Sequence, residues 1–146
     1  MNDRIRKLYK TVILTHSKTP YKFGKRADSQ YILKANNPVC GDKFELYLNV
    51  ENGKIIDLGF HGYGCSISKA ATSVLGTYLE GKSIEEGLEL SKIYLDMLDP
   101  EKELDESLSE DFLAFAAARD FPGRLTCASL SWEEMHTFLE KELSDD

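Results

Sequence analysis

The chain has 146 residues, 42% of them hydrophobic and 29% charged, a composition typical of a globular protein and not of a disordered one. Its length is typical of one domain, so we treat residues 1–146 as a single domain. The formal net charge of −7 argues against non-specific nucleic-acid binding, because neutralising phosphates requires surplus lysine and arginine. Neither a signal peptide nor an apolar run near the roughly 20 residues of a membrane span is visible. We therefore expect a cytoplasmic protein that binds neither membranes nor nucleic acid.

The first segment predicts a helix followed by a polar connector. Apolar residues at positions 5, 8, 12 and 13 recur with helical spacing, and Asn2 or Asp3 precedes them as an N-cap. Pro20 should end this helix, because proline cannot supply the next backbone hydrogen bond. A weak alternation then predicts a short strand at 31–36.

A β-hairpin is the clearest local prediction. Apolar and polar residues alternate over 43–50, and Ile56, Leu58 and Phe60 alternate on the far side of the turn. Asn52 and Gly53 separate the two segments, and this dipeptide tolerates the positive φ angles of a type I′ turn. Two antiparallel strands should therefore meet here.

The rest of the chain predicts helices. One opens at Cys65 and ends at Gly81, and a second is capped by Ser83 and Glu86 and closed by Pro100. An acidic linker at 101–106 precedes a helix capped within 107–110 that ends before Pro122. The last helix carries apolar residues at 128, 132, 135, 139 and 143. Together these elements predict an α+β fold, a small antiparallel sheet of about three strands with the helices on one side.

Three cysteines interrupt these elements at points where the chain turns. Cys40 lies in the turn-forming stretch 36–42, Cys65 opens a helix, and Cys127 follows a Phe-Pro-Gly-Arg segment near the last helix. An odd number of cysteines without an export signal argues against a disulfide framework. Buried hydrophobic cysteines are one interpretation, but helix N-termini and loop tips are better suited to holding thiolates.

Asp42 completes a candidate metal site. It stands two residues after Cys40, so in an extended segment the two side chains share a face. Three thiolates and one carboxylate form a tetrahedral set suited to Zn²⁺, and Gly62 and Gly64 would let the backbone approach an ion. The spacing matches no local zinc-finger pattern, so from the residues alone a metal site, a redox site and an Asx turn at Asp42 remain open.

Three ordered motifs carry a family resemblance over essentially the whole chain. They are Asn-Asn-Pro-x-Cys-Gly-Asp at 36–42, Gly-x-Gly-Cys-x-Ile-Ser at 62–68, and Phe-Pro-x-Arg-x-x-Cys-Ala-x-Leu-x-Trp at 121–132. The sequence resembles the IscU/NifU-N family of iron–sulfur cluster assembly proteins and, within it, the SufU branch of zinc-dependent sulfurtransferases. The resemblance implies a SufE/NifU-like fold.

Differences from the IscU scaffolds support the SufU branch. Thr126 stands where those scaffolds have a histidine before the third cysteine, and residues 120–124 replace the Leu-Pro-Pro-Val-Lys chaperone motif. The stretch between Cys65 and Cys127 is also longer, as is usual for the SufU branch.

The resemblance implies Cys40, Asp42, Cys65 and Cys127 as zinc ligands, with Cys40 as the catalytic sulfur acceptor. The implied reaction takes persulfide sulfur from a PLP-dependent cysteine desulfurase of the SufS type and passes it to downstream iron–sulfur assembly proteins. The alternative is a scaffold on which a transient [2Fe–2S] cluster assembles on the same ligands and is passed on. A third interpretation, a purely structural zinc domain, is disfavoured because loop-borne ligands beside glycines suggest a site that opens.

Two further residues are candidates for supporting the ligands. Arg124 would offset negative charge, since three thiolates, a carboxylate and Zn²⁺ sum to −2, but it is also explained as a solvated residue at a helix end. His61 is near Cys65 in sequence, although its place in a strand argues for a structural role. His136, on the last helix, is expected to be exposed.

Overall fold

A computed structural model describes residues 3–38 and 41–144 of the chain. In chain order the elements are α1 (Asp3–Lys18), β1 (Tyr31–Asn37), β2 (Asp42–Glu51), β3 (Lys54–Tyr63), α2 (Ser66–Leu79), α3 (Ile84–Leu98), α4 (Glu110–Phe115), a 3₁₀ helix (Ala116–Asp120) and α5 (Pro122–Ser144). The α+β class predicted from the sequence is confirmed.

The three strands form an antiparallel sheet in the order β1-β2-β3. Asn52 and Gly53 have φ angles of 52° and 73°, which confirms the predicted tight turn between β2 and β3. Ile56 departs from the alternation expected in this strand. A β-bulge leaves this residue between the pairs Asn49–Asp57 and Val50–Ile55, so Ile56 is 49% exposed while Ile55 is fully buried.

The middle helices begin and end where their capping residues predict. Cys65 is the N-cap of α2, and Gly81 follows the end of that helix with a φ of 87°. Ser83 caps α3 in a capping box with Glu86, as predicted. These two helices therefore begin where short-range backbone chemistry places them.

The start of the last helix differs from the prediction, whereas α4 begins within the predicted capping segment and the helical stretch ends before Pro122. Ser109 caps α4, because its Oγ accepts a hydrogen bond from the Phe112 N–H at 3.3 Å. The chain then continues as a 3₁₀ helix, and α5 begins at Pro122 rather than near position 128. Proline suits the first helical position, where its missing N–H would have no partner within the helix. Cys127 consequently lies inside α5.

The core lies between the sheet and the helices. Trp132 of α5 stacks on Tyr94 of α3 with ring centroids 4.0 Å apart, and its indole N–H donates to the Ala71 carbonyl at 2.9 Å. Tyr94 donates to the Ala128 carbonyl at 2.8 Å. These contacts join α2, α3 and α5 into one unit and confirm that Trp132 is a core residue. Among the described residues, no helix combines the length and apolar character that crossing a bilayer requires.

Candidate metal centre

Asp42, Cys65 and Cys127 come together at one end of the sheet. One carboxyl oxygen of Asp42 and the two sulfur atoms all lie within 4.8 Å of one another. The residues come from three elements that are far apart in sequence, namely the start of β2, the N-cap of α2 and the second turn of α5. Cys40, the fourth predicted ligand, lies outside the described residues.

Asp42 is held by two donors on one of its oxygens. Its Oδ1 accepts hydrogen bonds from the Cys65 N–H at 3.1 Å and from the Ser68 hydroxyl at 3.3 Å. The residue is 1% exposed, and its Oδ2 is buried with no hydrogen-bond partner within the described part of the chain. A buried carboxyl oxygen without a donor is costly, and a bound cation would satisfy it. This observation favours a metal ligand over a simple turn residue.

Cys65 holds its sulfur at the start of a helix, as the sequence predicted. Its Sγ accepts the Ser68 N–H at 3.5 Å, so the thiol takes the capping position that a serine or aspartate oxygen usually occupies. The sulfur therefore lies beside the free N–H groups and the positive end of the dipole of α2. Cys65 is partly exposed.

The glycines before Cys65 make room for protein atoms. A Cβ on Gly64 would lie 2.4 Å from Asp42 Oδ1 and 2.7 Å from Ser68 Oγ. A Cβ on Gly62, whose φ is 144°, would lie 2.1 Å from the Lys43 carbonyl oxygen. These glycines therefore let β3 and the Cys65 turn approach β2 and Asp42. That they also bring the backbone close to an ion stays a prediction.

Cys127 is more deeply buried than its sequence context suggested. It is 4% exposed because α5 starts at Pro122 and places it within the helix rather than at a loop tip. One turn further along α5, Ser131 shares a 2.6 Å hydrogen bond with Thr72 of α2, and both hydroxyls are buried. This bond holds together the two helices that carry Cys65 and Cys127.

Tyr9 is a neighbour of the site that the sequence analysis did not single out. Burial raises the pKa of Tyr9, the negative charge of Cys65 and Cys127 raises it further, and Arg124 opposes the shift. The phenol of α1 therefore shares its electrostatic environment with both thiols. The only sequence signal was its presence in the opening helix covered by the resemblance.

Arg124 lies in the first turn of α5 and is exposed. Its positive charge lowers the pKa of Tyr9, the phenol whose pKa the two thiols raise. The charge-offsetting role of Arg124 at the site stays a prediction.

The histidines lie elsewhere. His61 pairs with Glu45 across the sheet, and its ring centroid is 5.1 Å from that of Phe23. Strand alternation points it to the face opposite Phe44 and Phe60, so the structure does not bring it to the thiols. His136 was expected to be exposed, but it is half-buried, with its Nδ1 2.7 Å from the Ser91 hydroxyl.

Comparison with known proteins identifies the family. The protein-family model of the NifU-like N-terminal domain matches residues 8–128 of this sequence, which include Asp42, Cys65 and Cys127. The chain belongs to the NifU-like N-terminal domain family. The resemblance found in the three sequence motifs is thereby confirmed.

Relatives of this NifU-like chain are described either as a sulfurtransferase or as cluster assembly scaffold proteins. It is 38% identical to the zinc-dependent sulfurtransferase SufU of Bacillus subtilis (strain 168), over 97% of this chain and 95% of that protein. It is 34% identical to the iron–sulfur cluster assembly scaffold protein IscU of Streptococcus pyogenes serotype M1, over 95% of this chain and 87% of that protein.

Solved structures agree with the observed fold. SufU from Fervidobacterium islandicum AW-1, described as a cluster assembly scaffold protein for the SUF system, matches with a TM-score of 0.80 and 31% identity. That match covers 90% of this chain and 96% of the other. A NifU-like protein from Brucella abortus shares the fold with a TM-score of 0.79 at 19% identity, over 99% of both chains.

Proposed function

We propose that this chain is a zinc-dependent sulfur acceptor that takes persulfide sulfur from a cysteine desulfurase for iron–sulfur cluster assembly. The observation that carries the proposal is the meeting of two thiols with one carboxyl oxygen of the buried Asp42 within 4.8 Å. The same carboxyl group has an oxygen, Oδ2, that is buried with no hydrogen-bond partner among the described residues. Cysteine thiolates are ligands that suit a metal of intermediate softness such as zinc. The full-length similarity to a zinc-dependent sulfurtransferase supports the same function.

The described residues fit zinc. Cys65, Cys127 and Asp42 supply two sulfurs and one oxygen, and Cys40, two residues before Asp42 in the chain, would complete a tetrahedral set. Bound zinc would keep the thiols deprotonated and protect them from oxidation. Cys65 already lies at a helix N-terminus, with its sulfur beside the free N–H groups of α2.

We assign Cys40 as the nucleophile of the transfer step. Its thiolate attacks the outer sulfur of the persulfide that the desulfurase carries, forming a new S–S bond. The S–S bond of the desulfurase persulfide breaks, and its cysteine leaves as a thiolate with the electron pair. The exchange needs no added oxidant or reductant. Downstream iron–sulfur assembly proteins would then receive the sulfur in the cytoplasm.

The test is a desulfurase assay with zinc-loaded protein. Wild type should raise the turnover of a SufS-type desulfurase and saturate as a substrate does. Cys40→Ala should abolish this stimulation, and alkylation followed by mass spectrometry should locate the wild-type persulfide on Cys40. Cys65→Ser and Cys127→Ser serve as matched thiol variants. A persulfide located chiefly on either of these cysteines would reassign the acceptor role.

A scaffold function is the second candidate, favoured by the similarity to IscU of Streptococcus pyogenes. The same thiolates would bind a transient [2Fe–2S] cluster. Anaerobic reconstitution of Asp42→Ala separates the two functions. A scaffold should retain a stable cluster with visible absorption when the labile carboxylate is removed, and a transferase should instead lose desulfurase stimulation. A stable cluster spectrum, with no stimulation by zinc-loaded wild type, would replace the transferase proposal with the scaffold.

A further inference from the structure

The two oxygens of Asp42 have opposite environments. Oδ1 accepts both hydrogen bonds that reach the carboxyl group, from the Cys65 N–H and the Ser68 hydroxyl, whereas the buried Oδ2 has none among the described residues. Both protein donors therefore hold the carboxyl group by one oxygen and leave the other oxygen available to a cation.

We propose that Ser68 is a positioning residue that presents Asp42 to the metal through Oδ2 alone. This inference rests on the proposed zinc site and goes beyond it by naming the ligand oxygen and the residue that selects it. Ser68 is 1% exposed in the first turn of α2, so solvent cannot substitute for its hydroxyl. With Oδ1 bound to protein donors, the carboxylate acts as a one-oxygen ligand, which suits a four-coordinate zinc site.

Ser68 contacts both Asp42 and Cys65. Its Oγ also lies 3.0 Å from the Cys65 carbonyl oxygen, so its single proton is shared between that acceptor and Asp42 Oδ1. Its N–H donates to the Cys65 sulfur at 3.5 Å. One residue therefore contacts two metal-ligand side chains. The space for this contact exists only because residue 64 is glycine, since a Cβ there would overlap both Asp42 Oδ1 and Ser68 Oγ.

The Cys65 N–H alone does not fix the carboxyl orientation. A single donor leaves the group free to rotate about that contact, and a second donor on the same oxygen removes this freedom. In Ser68→Ala the carboxylate should therefore swing so that both oxygens face the metal. Removing a hydrogen-bond partner of a metal ligand typically lowers the metal affinity by about 10–100-fold.

The experiment compares metal binding in wild type, Ser68→Ala and Ser73→Ala. Ser73 is the matched control, because it is also a fully buried serine of α2 but bonds to His16 and the Tyr21 N–H, away from the site. Zinc affinity is measured by competition with a chromogenic chelator, and coordination by the visible absorption of the Co²⁺-loaded protein. Ser68→Ala should weaken zinc binding about tenfold and lower the cobalt absorption as the ion becomes five-coordinate. Ser73→Ala should change neither.

Gly64→Ala perturbs the same contact from the other side and should give the same cobalt spectrum as Ser68→Ala if the protein folds. Unchanged affinity and an unchanged spectrum in Ser68→Ala would overturn the role of Ser68 while leaving the proposed function intact. Equal losses in Ser68→Ala and Ser73→Ala would also overturn it, because the effect would then be general to α2. A wild type that binds neither Zn²⁺ nor Co²⁺ would instead overturn the proposed zinc site, and this assignment with it.

Discussion

Replacing Asp42 by alanine should destabilise the zinc-loaded protein much more than the metal-free protein. A buried oxygen with no hydrogen-bond partner destabilises the metal-free protein by about 1–3 kcal/mol. Asp42→Ala removes this oxygen and should therefore stabilise the metal-free protein by about that amount. It also leaves the Cys65 N–H without its acceptor, which costs about the same. The two effects nearly cancel, so the metal-free variant should stay within about 1 kcal/mol of wild type.

In the proposed site, Asp42→Ala removes one of four ligands of the zinc-loaded state. Zinc at about 1,000 times its dissociation constant stabilises the folded state by about 4.1 kcal/mol. If Asp42→Ala weakens binding about 100-fold, the same zinc concentration contributes only about 1.4 kcal/mol. The difference of about 2.7 kcal/mol corresponds to a fall in Tm of roughly 5–10 °C for a chain of this size.

The assay is thermal unfolding followed by circular dichroism, with and without zinc. Asp111→Ala is the control, because Asp111 is a partly buried carboxyl group whose Oδ2 accepts a hydrogen bond from the Tyr78 hydroxyl at 2.9 Å. That variant should lose the same stability in both states. The argument fails if Asp42→Ala destabilises the metal-free protein as strongly as the zinc-loaded one.

Three further predictions concern the metal and the core. Elemental analysis of freshly purified protein should give one Zn²⁺ per chain, with affinity that falls as pH drops because thiols must lose protons to bind; substoichiometric zinc with unchanged melting after chelation would contradict this. Thr72→Val should lower the free energy of unfolding by about 1–3 kcal/mol in urea titrations, because it leaves the buried Ser131 hydroxyl unpaired, and a double-mutant cycle with Ser131→Ala should recover part of the loss. Burial lowers the pKa of His16, so the unfolded state binds its proton more strongly and stability should fall as pH drops below about 6.5; His16→Gln should flatten this slope between about pH 8 and pH 5, and an equal slope would refute the assignment.

Short-range chemistry in the sequence predicted several elements. The turn at Asn52 and Gly53 and the capping box at Ser83 depend on residues within four positions of each other, so the sequence contains all the information needed. The meeting of Asp42 with Cys65 and Cys127 was predicted mainly from the family resemblance. Spacing alone could not show that three distant elements converge.

The errors arose where tertiary contacts decide the structure. The bulge that exposes Ile56 depends on pairing with β2, which a period-2 pattern does not encode. α5 begins at Pro122, earlier than predicted, because the first helical position tolerates a residue without an N–H. Tyr9 is close to the thiols only because α1 packs near α2, so its place at the site could not be derived from local sequence.

Burial of the proposed ligands limits which residue can accept sulfur under the proposed function. Asp42 is 1% exposed and Cys127 4% exposed, and Cys127 lies within a helix tied to α2 through Thr72 and Ser131. A persulfide of a partner protein could reach Cys127 only if α5 moved away from the core. Cys65 is more accessible, but its sulfur caps α2, so leaving the site would release a helix N-terminus. Neither described thiol can leave without disturbing a helix, which supports Cys40 as the acceptor and the other three residues as the fixed part of the site.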